Sequence, residues 1–252
     1  MIFSYNGRLH EATEKNSLQD GWLQGAGIFE TIKTVEGKPW ALSRHMRRAV
    51  DSAARLGITL PGEETLRSAI AQLLVEEFHN LGMLRVSFDL KGNWAVVHQE
   101  YVEKDKAARL TIVEDHEVAN GIPMKTFPYT HRLEILKSAN LAGFDEAVVI
   151  NAFGRVCEGA VTNLLFQIDD QWCTPPISDG ALPGVMRALV IEYLKVRVRS
   201  IDKAEISAVQ SGFLLSSLRI AQPIESIKNH KLAPSQLFGD EIHAMALRTS
   251  VG

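Results

Sequence analysis

The sequence predicts an α/β (α+β) protein made of two domains. Segments with the two-residue alternation of β-strands recur along the chain, and segments with the three-to-four-residue periodicity of amphipathic helices lie between them. The polar run EKDKAAR at 103–109 marks the boundary. We therefore expect an N-terminal α/β domain over residues 1–106 and a C-terminal α/β domain over residues 107–252.

The N-terminal domain should contain two pairs of strands and two helices. The first pair lies within 28–42 and turns at Glu36-Gly37, and the second is a hairpin of 83–90 and 94–102. A helix over 43–57 should begin at Ser43 as its N-cap and stop at Gly57. A second helix over 63–78 should bury one apolar stripe, which consists of Leu66, Ile70, Leu73, Leu74 and Phe78.

The C-terminal domain should again mix strands and helices. The predicted strands cover 110–115, 146–151, 155–159, 163–168 and 213–217. The predicted helices cover 129–143, 184–196 and 235–248. This layout fits two α/β domains with a cleft between them, where a ligand site is expected.

Composition and motifs exclude several classes of protein. The net charge of −3 argues against a nucleic-acid surface, and two cysteines cannot form a disulfide framework. Neither a signal-peptide pattern nor an apolar run of membrane-spanning length is found, so a soluble cytoplasmic protein is the default. The eight histidines form no HExxH pair and CxxC is absent, so no metal site is expected. No dinucleotide or P-loop phosphate motif occurs.

The order of four segments is the most informative feature of the sequence. GAGIFET (25–31) with HMRRA (45–49) is followed by MKTFPY (124–129) with AGFDEAVVINAFGRVCEGAVTN (142–163), then CTPPISDGALPGVMR (173–187) and LLSSLR (214–219). This order, with the patterns E-G-x-x-x-N and L-P-G-x-x-R, resembles the fold-type IV PLP-dependent enzymes, the class-IV aminotransferase family. The resemblance covers nearly the whole chain. It implies a two-domain, D-amino-acid aminotransferase-like fold with pyridoxal 5'-phosphate (PLP) at the domain interface.

The resemblance also decides between two candidate lysines. In the family the lysine that binds PLP opens a K-T-x-x-Y-like segment, twenty residues before the aspartate of a D-E-A-like triplet. Lys125 has that spacing to Asp145 without a gap, whereas Lys137 lies within a predicted helix and should be an exposed structural residue. Pro128 stands where the family often has asparagine. A lysine amine attacks the PLP aldehyde only when deprotonated, which partial burial favours.

Further cofactor contacts follow from the same resemblance. Glu158 occupies the position of the carboxylate that keeps the pyridine nitrogen protonated. Arg48 matches the phosphate-binding arginine. The N–H groups of Val185 and Met186, at a helix start behind Gly184, should form an anion site.

Three residues carry weaker expectations. The hydroxyl of Ser217 is a third candidate for the phosphate. Arg85 could bind a substrate carboxylate, although its place in the strand pattern suits exposure equally well. Cys157 should be a small packing residue.

The segment SSLR in place of G-T-A-A-E most resembles aminodeoxychorismate lyase within the family. The resemblance implies a PLP-dependent lyase that converts 4-amino-4-deoxychorismate to 4-aminobenzoate and pyruvate, toward folate. A branched-chain or D-amino-acid aminotransferase is the alternative, and a protein that carries PLP without turnover is a third. By the same resemblance we expect a homodimer.

Overall fold

The computed structural model describes residues 1–13, 18, 23–115 and 123–250. The chain divides into two compact units. The first unit comprises Met1–Glu103, Met124–Pro128 and Thr249–Gly252, and the second comprises Lys104–Pro123 and Tyr129–Arg248. The predicted boundary at 106/107 assigned residues 124–128 to the second domain. They belong to the first unit because the short strand Thr126–Phe127 pairs with Gly27 and Ile28.

The first unit is built on a seven-stranded sheet. Its strands are β1 (Ile2–Tyr5), β2 (Arg8–Glu11), β3 (Gly27–Val35), β4 (Lys38–Pro39), β5 (Leu81–Asp89), β6 (Trp94–Glu100) and β8 (Thr126–Phe127). The spatial order is β2-β1-β6-β5-β3-β4, and β8 pairs with β3. The β3–β4 and β5–β6 hairpins confirm the two predicted strand pairs.

Two helices cover one face of this sheet, α1 (Leu42–Leu56) and α2 (Glu63–Glu76). The alternation along β3 and β5 points Ile28, Ile32, Leu84 and Phe88 into the core that these helices close. Gly57 ends α1 in the left-handed conformation at φ 69°, as the sequence predicted.

Two details of these helices differ from the prediction. Ser43 is not the N-cap of α1, because the N-cap is Ala41, two residues earlier. The Ser43 hydroxyl instead accepts a hydrogen bond from Arg67 Nη2 at 3.0 Å. Phe78 is not a core residue either and is 57% exposed. Since α2 ends at Glu76 and Glu77 leaves helical geometry at ψ 65°, the helical stripe stops before Phe78.

The second unit is built on a nine-stranded sheet with the order β10-β9-β7-β15-β14-β11-β12-β13, and β16 pairs with β15. Its strands are β7 (Ala108–Glu114), β9 (Glu146–Ile150), β10 (Val156–Gly159), β11 (Asn163–Ile168), β12 (Gln171–Thr174), β13 (Arg197–Val198), β14 (Ser211–Ser216), β15 (Ile220–Ile227) and β16 (His230–Lys231). The strands predicted at 110–115, 146–151, 155–159, 163–168 and 213–217 are all present, with ends shifted by up to two residues.

Three helices pack on the second sheet, α3 (Thr130–Leu141), α4 (Val185–Tyr193) and α5 (Gln236–Arg248). Ile135 and Ala139 of α3 pack with Ala147 and Val149 of β9, and α4 and α5 pack near β14 and β15. All three helices were predicted. No helix in the described ranges is both long enough and apolar enough to cross a membrane.

Candidate active site

Lys125 is held in place by the edge of β3. Its carbonyl oxygen accepts a hydrogen bond from Phe29 N–H at 2.9 Å, and its Nζ lies 4.4 Å from the centroid of the Phe29 ring. Gly27 makes this approach of the chain possible, because a Cβ there would lie 2.0 Å from the Phe88 oxygen and 2.7 Å from Phe127 Cζ. Lys125 is thus half-buried just before the short strand Thr126–Phe127, with its amine over the Phe29 ring.

Lys137, the rejected alternative, is exposed in the middle of α3, as the sequence predicted. The structure thus gives the two lysines different settings, although the role of Lys125 stays a prediction.

A buried carboxylate holds Arg48. Glu30 Oε1 accepts from Arg48 Nε at 2.8 Å and Oε2 from Arg48 Nη2 at 2.5 Å, while His45 Nδ1 lies 2.7 Å from Oε2. Burial alone would raise the pKa of Glu30, but the charge of Arg48 and the hydrogen bonds from His45 and Arg48 lower it to about 2. Glu30 is therefore ionised and fixes the guanidinium in a bidentate pair.

His45 is the neutral member of this cluster. Burial lowers its pKa, which the hydrogen bond and charge of Glu30 oppose. The charge of Lys125 also contributes to the lowering, so Lys125 and the Glu30–Arg48 pair act on the same imidazole. Sequence reasoning missed Glu30. Glu30 could have been found from the strand pattern. It lies midway between Ile28 and Ile32, which both face the core, so a charged residue there should be buried too.

Arg85 lies on β5 beside the same aromatic ring. Its Cζ is 5.6 Å from the Phe29 ring centroid, and Nη2 is 3.6 Å from Met83 Sδ. The side chain is half-buried, so the exposed alternative that the strand pattern allowed is not what the structure shows. Its role toward a substrate carboxylate stays a prediction.

In the second unit, Glu158 at the end of β10 is a buried carboxylate with three donors. Oε2 accepts from Asn163 Nδ2 at 3.1 Å and from Leu182 N–H at 2.9 Å. Oε1 forms an ion pair with Arg132 Nη2. A buried carboxylate with this many charge-assisted and amide donors is strongly fixed in orientation.

The E-G-x-x-x-N pattern has a geometric reason in this unit. Gly159 N–H donates to Thr162 O at 2.7 Å, which closes a turn and brings Asn163 back beside Glu158. A Cβ on Gly159 would lie 2.2 Å from Thr162 Oγ1, so the turn requires glycine. Asn163 has no role in the sequence-based prediction. In the structure its Nδ2 also donates to the Leu182 carbonyl oxygen at 2.9 Å and so links the Glu158 carboxylate to Leu182.

The start of α4 lies against the same asparagine. A Cβ on Gly184 would be 1.9 Å from Asn163 Oδ1, so glycine lets the backbone approach closely. The buried residues Val185 and Met186 follow as the first helical positions, whose N–H groups have no partner within a helix. Arg187 anchors this turn by donating to Pro175 O at 2.7 and 3.2 Å, which explains the arginine of the L-P-G-x-x-R pattern.

Ser217 is half-buried in the turn between β14 and β15. Ser216 Oγ accepts from Arg219 N–H at 3.1 Å, and Arg219 Nη2 lies 3.2 Å from Oε2 of the fully buried Glu146. Burial raises the pKa of Glu146, although Arg219 and the backbone N–H donors oppose this. The distinctive SSLR segment is thus tied to the start of β9.

Cys157 is confirmed as a packing residue. It is buried beside Glu158, and burial raises the pKa of its thiol to about 12 despite the nearby charge of Arg132. A thiol in that state is a poor nucleophile at neutral pH.

Comparison with known proteins agrees with these features. The family model for class IV amino-transferases matches residues 27–227. The chain is 26% identical to aminodeoxychorismate lyase from Bacillus subtilis over 75% of this chain and 72% of that protein. It is 25% identical to D-alanine aminotransferase from Bacillus licheniformis over 88% of this chain and 87% of that protein.

A crystal structure of the branched-chain aminotransferase from Thermoproteus uzoniensis with norvaline shares the fold. Its TM-score is 0.85 at 22% identity, with 100% of this chain and 96% of that chain covered. The chain therefore belongs to the class IV aminotransferase family, its fold is that of the fold-type IV enzymes, and its cofactor is PLP.

The residues of each unit fit this cofactor. PLP presents an aldehyde, a phosphate and a pyridine nitrogen. The first unit offers the amine of Lys125 on an aromatic ring and the guanidinium of Arg48, which Glu30 orients. The second offers the buried carboxylate of Glu158 and the N–H groups of the first turn of α4, which begins behind Gly184. These are the groups that the three parts of PLP require.

We expect Glu30→Gln to lower the free energy of unfolding by about 3–5 kcal/mol at pH 7, because it leaves the largely buried Arg48 without its counter-charge. The Glu30 carboxylate, with a pKa of about 2 against 4.5 when unpaired, stabilises fully above pH 4.5 and loses this effect as the pH falls toward 2. The difference between native protein and variant should therefore shrink across that range. Urea unfolding at a series of pH values measures the loss of stability at pH 7 and its decrease at lower pH.

Glu63→Gln is the matched control, since Glu63 pairs with Arg67 on the exposed side of α2, where the glutamate side chain is 72% exposed. We expect its cost to stay below about 0.5 kcal/mol. Equal costs for the two variants, or a Glu30 effect that is independent of pH, would contradict the buried-pair assignment.

Proposed function

We propose that this chain is a PLP-dependent lyase that converts 4-amino-4-deoxychorismate to 4-aminobenzoate and pyruvate, a step toward folate. The main structural support for PLP chemistry is the Glu158 carboxylate, which is buried and accepts from three donors. The similarity to the Bacillus subtilis aminodeoxychorismate lyase over 75% of the chain supports the lyase step. The homodimer and the cytoplasmic location expected from the sequence stay predictions.

In this proposal PLP supplies an electron sink for the carbon that bears the substrate amine. Glu158 would accept a hydrogen bond from the ring nitrogen, and Lys125 would provide the amine that binds the aldehyde. The phosphate would be held by Arg48, the N–H groups of Val185 and Met186, and the Ser217 hydroxyl. These N–H groups open a helix, which favours an anion.

Lys125 also carries the proton transfers. Its Nζ takes the proton from the amine-bearing ring carbon of the substrate. The bond between the ring and the enolpyruvyl oxygen then breaks, and its electron pair leaves with that oxygen while the ring becomes aromatic. The Lys125 ammonium returns the proton to the methylene carbon of the enolpyruvate, which gives pyruvate. Proton and electron pairs balance without water or a second substrate.

The position of Arg85 supports a carboxylated ring as the substrate. The Arg85 guanidinium and the Lys125 amine both lie against Phe29, at 5.6 and 4.4 Å from its ring centroid. An aromatic side chain can pack against the substrate ring, and an arginine can pair with its carboxylate. A separate feature favours the lyase over a branched-chain aminotransferase: SSLR stands where those enzymes have G-T-A-A-E, and it forms a turn in which Arg219 N–H donates to Ser216 Oγ at 3.1 Å.

The second candidate is an amino-acid aminotransferase acting on D-amino or branched-chain substrates. The match to the Bacillus licheniformis D-alanine aminotransferase, which spans 88% of this chain, favours it. Both activities use the same lysine and the same carboxylate, so only the fate of the substrate separates them.

The first prediction concerns the lysine that binds PLP. Purified protein should be yellow, and borohydride should link a pyridoxyl group to the peptide that contains Lys125. Lys125→Ala should abolish this link, while Lys137→Ala should retain it, because Lys137 is an exposed residue of α3. Peptide mapping by mass spectrometry after reduction reads the result. A pyridoxyl group on Lys137 would overturn the assignment.

The second prediction decides between lyase and aminotransferase. The enzyme is mixed with 4-amino-4-deoxychorismate in the absence of any keto acid, and 4-aminobenzoate is followed by fluorescence and pyruvate by a coupled assay. We expect many equivalents of both products per active site in equal amounts, because elimination regenerates the enzyme without an amino acceptor. Lys125→Ala serves as the inactive control.

A different pattern of products would contradict the lyase. If no 4-aminobenzoate forms, and glutamate or D-alanine is instead turned over with a keto acid acceptor, the aminotransferase is the correct function. A protein that binds PLP but turns over neither set of substrates would be a cofactor carrier.

A further inference from the structure

Arg132 is a charged residue on the buried side of α3. It occupies the first position of a helical stripe that continues with Ile135 and Ala139, both of which pack into the second unit. Its side chain is only 16% exposed, and its Nη2 pairs with Glu158 Oε1, whose side chain is 9% exposed. An arginine on an otherwise apolar stripe, aimed at one carboxylate, requires an explanation beyond packing.

The donors around Glu158 are distributed unequally between its two oxygens. Asn163 Nδ2 and Leu182 N–H both donate to Oε2, whereas Arg132 donates to Oε1. Each carboxylate oxygen can accept about two hydrogen bonds. Oε2 is therefore saturated by the protein, and Oε1 retains the capacity for one further donor.

We propose that Arg132 is a positioning residue that keeps Glu158 ionised and orients Oε1 to receive the ring N–H of PLP. This inference rests on the proposed role of Glu158. A buried carboxylate without a cation tends to take up a proton, which would remove the anion that the ring nitrogen requires. The guanidinium prevents this by a charge-assisted hydrogen bond and fixes the carboxylate plane together with Asn163 and Leu182.

Arg132 acts through Glu158 in this account, so its effect should vanish when Glu158 is changed. A double-mutant cycle measures that dependence. The four proteins are the native enzyme, Arg132→Met, Glu158→Gln and the double variant, each stripped of cofactor. Titration with PLP, followed by the visible absorbance of the bound cofactor, gives the dissociation constant without any assay of activity.

We expect Glu158→Gln to raise the PLP dissociation constant about ten- to a hundredfold, the worth of one hydrogen bond to a charged group. Arg132→Met should raise it about tenfold. The double variant should match Glu158→Gln within about twofold, because the carboxylate that Arg132 orients is already gone. Arg132→Lys, which keeps the charge, should restore most of the affinity that Arg132→Met loses.

Arg155 provides the control, with a side chain that is 47% exposed against 16% for Arg132. It is an arginine of the same unit that pairs with another buried carboxylate, Asp179, at 3.2 Å. Arg155→Met should change the PLP dissociation constant less than about twofold, both alone and combined with Glu158→Gln. Melting of the cofactor-free proteins separates a general loss of stability, which Arg132→Met and Arg155→Met could share, from a loss specific to PLP. If Arg132→Met does not fold, Arg132→Lys takes its place in the cycle. It should raise the PLP dissociation constant less than Arg132→Met would, and it should have no effect in a protein that already carries Glu158→Gln.

Three results would overturn the inference, and they are distinguishable. Unchanged affinity in Glu158→Gln refutes the role of Glu158 itself, and the inference falls with it. Weaker binding in Glu158→Gln with unchanged binding in Arg132→Met refutes the inference alone. Effects that multiply in the double variant show that Arg132 contributes to PLP binding independently of Glu158.

Discussion

The Glu158 carboxylate is the constraint on which the second unit's site depends. Its donors come from three separate parts of the chain, Arg132 on α3, Asn163 at the start of β11, and the backbone at Leu182 before α4. A buried anion is costly unless such donors surround it. The β10–β11 turn and the start of α4 are therefore fixed by the same group that would face the cofactor. Glycines at 159 and 184 permit the close approaches that this arrangement needs.

The two units use ion pairs in opposite senses. In the first, the carboxylate of Glu30 orients the arginine proposed to bind phosphate. In the second, the arginine of Arg132 orients the carboxylate proposed to bind the ring nitrogen. In each pair one charged group holds the other in a fixed orientation. Electrostatic catalysis depends on charges that are oriented in advance in this way.

Local sequence pattern was enough to predict the five helices and about half of the strands, whereas the preference for Lys125 over Lys137 came from the resemblance to the family. Periodicity and glycine stops report on neighbours in sequence, so the β3–β4 and β5–β6 hairpins, α1 to α5 and the exposed setting of Lys137 could be predicted, while the β1–β2, β11–β12 and β14–β15 hairpins were missed. Arg132 and Glu30 were missed because their partners lie 26 and 18 residues away. Ser43 and Phe78 were placed wrongly since the ends of α1 and α2 depend on local backbone geometry that their sequences do not reveal.

An ionised Glu158 should keep the ring nitrogen of PLP protonated. NMR of the enzyme loaded with PLP that carries the heavy nitrogen isotope in its ring reports that protonation directly. We expect a protonated-pyridine signal in the native enzyme at neutral pH and its replacement by an unprotonated signal in Glu158→Gln. An unprotonated ring in the native enzyme, or a protonated ring that persists in the variant, would contradict it.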